Sequence, residues 1–274
     1  MATPVDLARV RSVILDMDGV LYHGNEPIPG AREFLDFLRQ RGIGFVLLTN
    51  NSTLTGAQYV AKLARMGMRA TEADILTSAE ATATYLSRIA PMGTRVYVIG
   101  EDGLRTELQK RGFVLSEDVE VPYVVVGFDR HFDYAKMTAA TRAIRAGAKF
   151  IASNPDKTYP SELGLIPGAG AFLAAIEAAT DVAPSVIGKP QPAIFELALQ
   201  KLMATPQTTA VIGDGLYTDI LGGHRVGLLT ILLLGGVTGT EQLRNPSVVP
   251  DLVFDDIAAI HHAWIAALEA QHQS

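Results

Sequence analysis

The chain has 274 residues and a formal net charge of −6, from Lys+Arg 23 against Asp+Glu 29. That length forms one large domain or two ordinary ones and buries a core without staples, and 48% hydrophobic with 19% charged residues exclude collagen-like, low-complexity and fibrous classes. A cysteine count of 0 excludes disulfide scaffolds, Cys-based zinc sites, thiol nucleophiles and iron–sulfur clusters, and the acidic balance argues against nucleic acid or an anionic membrane as a partner while leaving small anionic substrates open.

Met1–Arg9 has no basic stretch followed by an apolar one, so no secretory leader is read there. Ser12–Leu15 is the first short Val/Ile/Leu run of the kind buried on both faces of a sheet. Ala31–Arg41 then places Phe34, Leu35 and Leu38 on one helical face. Gly44–Leu48 repeats the strand pattern and Tyr59–Met66 the helical one. Strands are expected next at Arg95–Ile99 and Tyr123–Val126, a helix over Lys136–Ala146, a strand at Lys149–Ala152 and helices over Ala169–Ala179 and Ala193–Met203. Thr209–Ile212 and Leu229–Leu234 close the strand series. The apolar run Leu228–Leu234 is far short of the roughly 20 residues of a spanning helix, so no membrane partner and a soluble, cytoplasmic protein are expected. A last helix covers Ile257–Gln271, with Trp264 as its core anchor and His261 and His262 solvated. Strands alternating with helices mean βαβ units, hence an α/β fold with a Rossmann-like, doubly wound parallel sheet.

Four apolar runs end in unusual polar residues. Leu15 runs into Asp16-Met17-Asp18-Gly19, Leu48 into Thr49-Asn50-Asn51, Gly188 into Lys189-Pro190, and Gly213 into Asp214-Gly215 with Asp219 five positions after Asp214. Ligands of open α/β sheets bind beyond the carboxyl ends of the strands. Pooled, these ends offer four carboxylates, a hydroxyl and an ammonium, the inventory for a divalent metal and a phosphoryl group. A strand continuing through Asp16 and Asp18 would point both to one side. Converging carboxylates stay ionised together only beside a cation, and Mg²⁺ suits hard oxygen ligands. One aspartate then serves as nucleophile and the other as acid and base. Thr49, Asn50 and Lys189 supply donors and a positive charge, and Gly19 lets the chain turn sharply. Each piece alone reads as a turn or a helix cap; the four together are explained by one reaction.

These residues resemble the haloacid dehalogenase-like superfamily of aspartyl-phosphate phosphatases, through Asp16-Met17-Asp18-Gly19-Val20, Leu47-Leu48-Thr49-Asn50-Asn51-Ser52, Gly188-Lys189-Pro190 and Gly213-Asp214 to Asp219. The resemblance implies Asp16 as nucleophile and metal ligand, and Asp18 as acid/base with a backbone carbonyl on the metal. It implies Thr49 and Lys189 on the phosphoryl group, Asp214 on Mg²⁺ and Asp219 orienting the metal shell. Asp18-Gly19-Val20-Leu21-Tyr22-His23-Gly24, Ser153-Asn154-Pro155-Asp156 and Pro167-Gly168-Ala169-Gly170 extend the likeness to subfamily IIA, the 4-nitrophenylphosphatase, phosphoglycolate phosphatase and NagD-type branch. That branch implies an inserted α/β cap, and dimers made through it. The interval from Thr49 to Lys189 carries strands of its own and exceeds any αβ crossover loop of about 2–6 residues. The expected division is therefore 1–79 and 184–274 as a discontinuous core, with 80–183 as the insertion.

Within the insertion, Asn154 and Asp156 are candidates for substrate contact, although Asn-Pro-Asp is also strong turn chemistry. The glycines of Pro167–Gly170 open a helix that could cradle an anion or only allow close packing. His23, His131 and Arg130 are read as surface side chains. Gly215 and Tyr217 depart from the branch, where bulkier polar and smaller residues are common. The expected activity is Mg²⁺-dependent hydrolysis of a small phosphorylated metabolite through an aspartyl-phosphate. A phosphotransferase or mutase using the same intermediate and a non-catalytic phospho-ligand sensor are the alternatives.

Overall fold

The computed structural model describes residues 6–161, 164–238 and 247–272. Residues 1–5, part of the stretch read as lacking a leader, lie outside them.

The first strand, β1 (Ser12–Asp16), is buried along its whole length, as a strand covered on both faces must be. A two-stranded hairpin, β2 (Tyr22–His23) and β3 (Glu26–Pro27), follows. Helix α1 (Ala31–Gln40) buries Phe34, Leu35 and Leu38, the face expected from its spacing. Then come β4 (Gly44–Thr49), α2 (Gly56–Arg65), β5 (Ile75–Thr77) and α3 (Ser78–Ile89). The pair β5 and α3 has no strong periodicity in sequence, because Ala and Thr dominate α3. The usable signal is its cap: the Thr77 hydroxyl accepts the Glu80 N–H.

The chain continues through β6 (Arg95–Ile99), α4 (Asp102–Lys110), β7 (Val114–Leu115), β8 (Tyr123–Val126), α5 (Tyr134–Arg145) and β9 (Lys149–Ala152). A second hairpin, β10 (Thr158–Ser161) and β11 (Gly164–Pro167), leads into α6 (Ala169–Thr180), β12 (Ser185–Val186) and α7 (Pro192–Leu202). The last elements are β13 (Thr209–Gly213), α8 (Leu221–Arg225), β14 (Leu229–Leu233), β15 (Leu252–Phe254) and α9 (Ile257–His272).

Chain packing separates two compact units. One comprises the chain up to Leu48, Val60–Ile75 and the chain from Phe195; the other comprises Thr49–Tyr59 and Leu76–Ile194. The first unit is built on a six-stranded sheet in the order β15-β14-β13-β1-β4-β5, with β1 parallel to both β13 and β4. From β1 the chain builds outward first on the β4 side and later on the β13 side, so the strand order reverses between β1 and β13. The carboxyl ends of that pair form the topological switch point where α/β sheets bind ligands.

The second unit is built on a five-stranded parallel sheet, β12-β9-β8-β6-β7. Val124, Val126, Phe150, Ile144, Leu173 and Ile176 form its core. A boundary at 184 would group Ser185–Val186 with the first unit; in the structure this strand pairs with β9 and extends the second sheet.

His261 is only partly solvated. Its ring lies 4.6 Å from that of Phe37 and 5.9 Å from that of Phe34, beside the fully buried Trp264, because the aromatic face of α1 needs a planar cover. His262 is exposed, as its sequence context suggests.

Candidate active site

Asp16 is the last residue of β1, and Asp214 directly follows β13; the two strands pair in register up to Leu15 and Ile212. Asp219 returns on a π-helical turn over Leu216–Ile220, a departure from α geometry often found at functional sites. One oxygen from each of Asp16, Asp214 and Asp219 lies within 4.8 Å of the others. The residues are only 9%, 3% and 1% exposed, respectively.

Donors fix each carboxylate. Met17 gives its N–H to Asp16 Oδ1 at 2.8 Å, Val237 gives its N–H to Asp214 Oδ2 at 2.8 Å, and the Gly215 N–H and Thr218 hydroxyl reach Asp219 Oδ2 at 3.2 and 3.1 Å. Three buried carboxylates this close repel one another, and an all-oxygen set is the donor chemistry of a hard divalent cation.

Two glycines clamp Asp214. Gly19 has φ +81°, and a Cβ there would stand 2.7 Å from Asp214 Cγ. A Cβ on Gly236 would overlap the same carboxylate from the other side. Gly215, which departs from the branch pattern, lends its backbone to Asp219, and Tyr217 beside it is half exposed.

Asp18 is not one of the carboxylate trio. β1 stops at Asp16, and Asp18 instead forms an isolated bridge with Tyr22, so one strand does not carry both. Burial raises the Asp18 pKa; the charges of Lys62 and His23 and the Gly24 and Gly19 N–H groups pull the other way. The net direction is upward, toward the range in which a carboxyl can serve as acid and base. Lys62 is in turn lowered by burial and supported by Asp18.

The second unit holds a separate polar cluster. The Thr49 hydroxyl accepts the Asn51 N–H at 3.1 Å. Asn50 takes the Lys189 N–H on Oδ1 at 2.7 Å, and its Nδ2 donates to the Lys189 carbonyl at 3.0 Å and to Asp156 Oδ1 at 3.1 Å. The Asn154 amide donates to the Asn50 carbonyl at 2.9 Å, and its Oδ1 accepts the Asp156 N–H at 3.2 Å. Asn51 donates to the Tyr159 hydroxyl at 3.3 Å and accepts from Thr53. Lys189 is 3% exposed and is joined to Pro190 by a cis peptide bond. Asn154 and Asp156 thus form the turn their sequence suggests, and both also brace Asn50.

Other sequence candidates have different partners. The Gly168 and Gly170 N–H groups bond to the Lys157 and Asp156 carbonyls, so they are spent on chain packing. Arg130 pairs with Glu101 at 2.6 Å, while His23 and His131 are exposed. Sequence reasoning missed Lys62, Tyr159 and the loop Gly236–Thr238, in which the Thr238 hydroxyl accepts the Leu216 N–H at 3.0 Å. Only the loop carried a signal, since Gly235-Gly236 follows a strand as the other polar ends do.

Among the described residues no helix is long and apolar enough to cross a membrane. The haloacid dehalogenase-like hydrolase model matches residues 13–114, and a HAD-hydrolase-like model matches residues 186–260. The acid sugar phosphatase of Staphylococcus aureus is 40% identical over 251 residues, covering 92% of this chain and 96% of that protein. The crystal structure of a 4-nitrophenylphosphatase from Thermotoga maritima superposes with a TM-score of 0.90 at 35% identity, over 94% of this chain and 98% of that one. A glycerol phosphate phosphatase from Mycobacterium tuberculosis, solved in complex with magnesium, gives 0.86 at 31% identity, over 94% and 78%. The chain belongs to the haloacid dehalogenase-like hydrolases, in their 4-nitrophenylphosphatase and NagD-type branch, and is a phosphatase.

Proposed function

We propose that the chain is a Mg²⁺-dependent phosphomonoesterase acting on small phosphorylated metabolites through an aspartyl-phosphate on Asp16. The observation that carries this reading is the buried trio Asp16, Asp214 and Asp219, whose oxygens lie within 4.8 Å of one another. Hard oxygen donors fit Mg²⁺, and a relative in this branch was solved with magnesium. Bound at the trio, Mg²⁺ would offset the carboxylate charge and that of the phosphoryl oxygens.

The chain's own groups do the rest. An oxygen of Asp16 attacks phosphorus, and the bond from phosphorus to the leaving oxygen breaks. Asp18 gives its proton to that oxygen, then takes one from the water that hydrolyses the aspartyl-phosphate. The Asp18 backbone carbonyl would complete the protein's ligands to the metal. Thr49 and Lys189 hold and neutralise the phosphoryl group, with Gly19, Asn50 and Asn51 shaping the binding loops. Asn154 and Asp156 support substrate binding through Asn50. The unit built on the five-stranded sheet is the inserted domain and selects the leaving group. Sugar phosphates and glycerol phosphate are the first substrates to try, given the names of the relatives.

Asp16→Asn should abolish hydrolysis of 4-nitrophenyl phosphate while the far-UV spectrum and melting temperature stay near those of the parent. Full activity in this variant would refute the mechanism.

A further inference from the structure

Ser78 carries a hydroxyl that neither the motifs nor the mechanism above uses. It is the first residue of α3 and is 0% exposed. The helix does not need it as a cap, since Thr77 fills that role on the Glu80 N–H. Instead, Ser78 Oγ donates to the Asn50 carbonyl at 2.5 Å, beside the Asn154 amide at 2.9 Å. A hydroxyl has one proton to give, so Ser78 commits its whole donor capacity to this carbonyl. Two donors on the two lone pairs of one oxygen fix the direction of the carbonyl as well as satisfying it.

The direction matters because of what lies across the same peptide group. The Asn50 carbonyl and the Asn51 N–H share one planar trans unit, so they point opposite ways and turn together. The Asn51 N–H goes to the Thr49 hydroxyl oxygen at 3.1 Å. A hydroxyl that accepts this bond keeps its own proton for another acceptor, and the phosphoryl group is the acceptor given to Thr49 above. Pinning the carbonyl therefore pins the N–H, and the N–H orients Thr49, which is buried. Thr49, Asn50, Asn51, Ser78 and Asn154 all belong to the second compact unit.

We propose that Ser78 is a positioning residue for the phosphatase reaction: by holding the Asn50 carbonyl it turns the Asn51 N–H onto Thr49 and so aims the Thr49 hydroxyl at the phosphoryl group. The proposal rests on the phosphoryl role given to Thr49 above. It makes a prediction that a purely structural serine does not. The effect of Ser78 on turnover passes through the Thr49 hydroxyl, so it should vanish when that hydroxyl is gone.

The test is a double-mutant cycle read as kcat/KM for 4-nitrophenyl phosphate. Thr49→Val should lower it by about 10²–10³-fold, the usual cost of losing one preorganised donor. Ser78→Ala should lower it by about tenfold, less than the roughly 10²-fold that a misplacement of about 1 Å can cost. In the Thr49→Val background the further loss from Ser78→Ala should be less than about twofold, because residues acting through one network are not additive. Ser78→Cys, which fills the site with a weak donor, gives the same reading if Ser78→Ala does not fold. Thr82→Val is the structural control: it removes the buried bond from Thr82 Oγ1 to the Ser78 carbonyl (2.7 Å) and should leave kcat/KM near the parent value. Equal losses from Ser78→Ala in the two backgrounds, no loss in the parent background, or a matching loss in Thr82→Val would overturn the proposal while leaving the phosphatase reading intact. Full activity in Thr49→Val would overturn the role given to Thr49, and a parent enzyme inert towards phosphomonoesters would overturn the phosphatase reading; either takes this proposal with it.

Discussion

Asn50 grips Lys189 from both sides of its backbone. Its Oδ1 accepts the Lys189 N–H at 2.7 Å, and its Nδ2 donates to the Lys189 carbonyl at 3.0 Å. An amide carries donor and acceptor on separate atoms, so it can do both at once. Asn50→Ala should cost about 1–3 kcal/mol in urea unfolding, because buried backbone groups lose their partners. Asn50→Asp should do worse in activity than Asn50→Ala: it keeps the acceptor, loses the donors, and sets a second carboxylate against Asp156. Steady-state kinetics on 4-nitrophenyl phosphate check the order.

The glycine clamp on Asp214 gives a paired prediction. Ala at Gly42 (φ +65°), where nothing stands within 4 Å of the new Cβ, should cost only backbone strain, about 1–2 kcal/mol. Gly19→Ala adds overlap with Asp214, so it should cost more and also abolish stabilisation by Mg²⁺. Thermal melts with and without Mg²⁺ separate the two effects. Equal behaviour of the two variants would contradict the clamp.

Metal binding can be read without turnover. Mg²⁺ at 100 times its Kd should stabilise the parent by about 2.7 kcal/mol, as for any ligand that binds only the folded state. Asp214→Asn and Asp219→Asn remove one charge each from the trio and should erase that gain in calorimetry. Chelation should stop hydrolysis in the parent, and Mg²⁺ should restore it.

The pH dependence of stability has one contributor far from the site. Burial, and secondarily the charge of His262, lower the His261 pKa below its ordinary 6.5. The unfolded chain then binds the proton more readily than the folded one. The stability associated with neutral His261 is therefore present above 6.5 and is lost as pH falls through the folded value. His261→Phe keeps an aromatic cover over Phe37 and should flatten the stability profile on the acid side of neutrality, measured by urea midpoints at a series of pH values.

The order of strands and helices was legible in the sequence because parallel strands buried on both faces must be continuous apolar runs, as Val13-Ile14-Leu15 and Ala210-Val211-Ile212 are. The candidate carboxylates were legible because polar residues closing such runs have few structural reasons to be there. Asp16 and Asp214 were identifiable for that reason alone, before any residue was placed in space.

Only the tertiary structure showed which of these groups meet. Residues almost two hundred positions apart become neighbours when β13 pairs with β1, and no local pattern encodes that pairing. Asp18 reads in sequence as the twin of Asp16, yet the chain leaves the strand between them, so one joins the trio and the other bridges to Tyr22. The division of the strand ends between two sheets was equally invisible, because Ser185–Val186 reads the same in either. The residues that close the strands set the chemistry available to this protein; which of those groups act on one another depends on burial and pairing across the sheets, which are made by contacts distant in the chain.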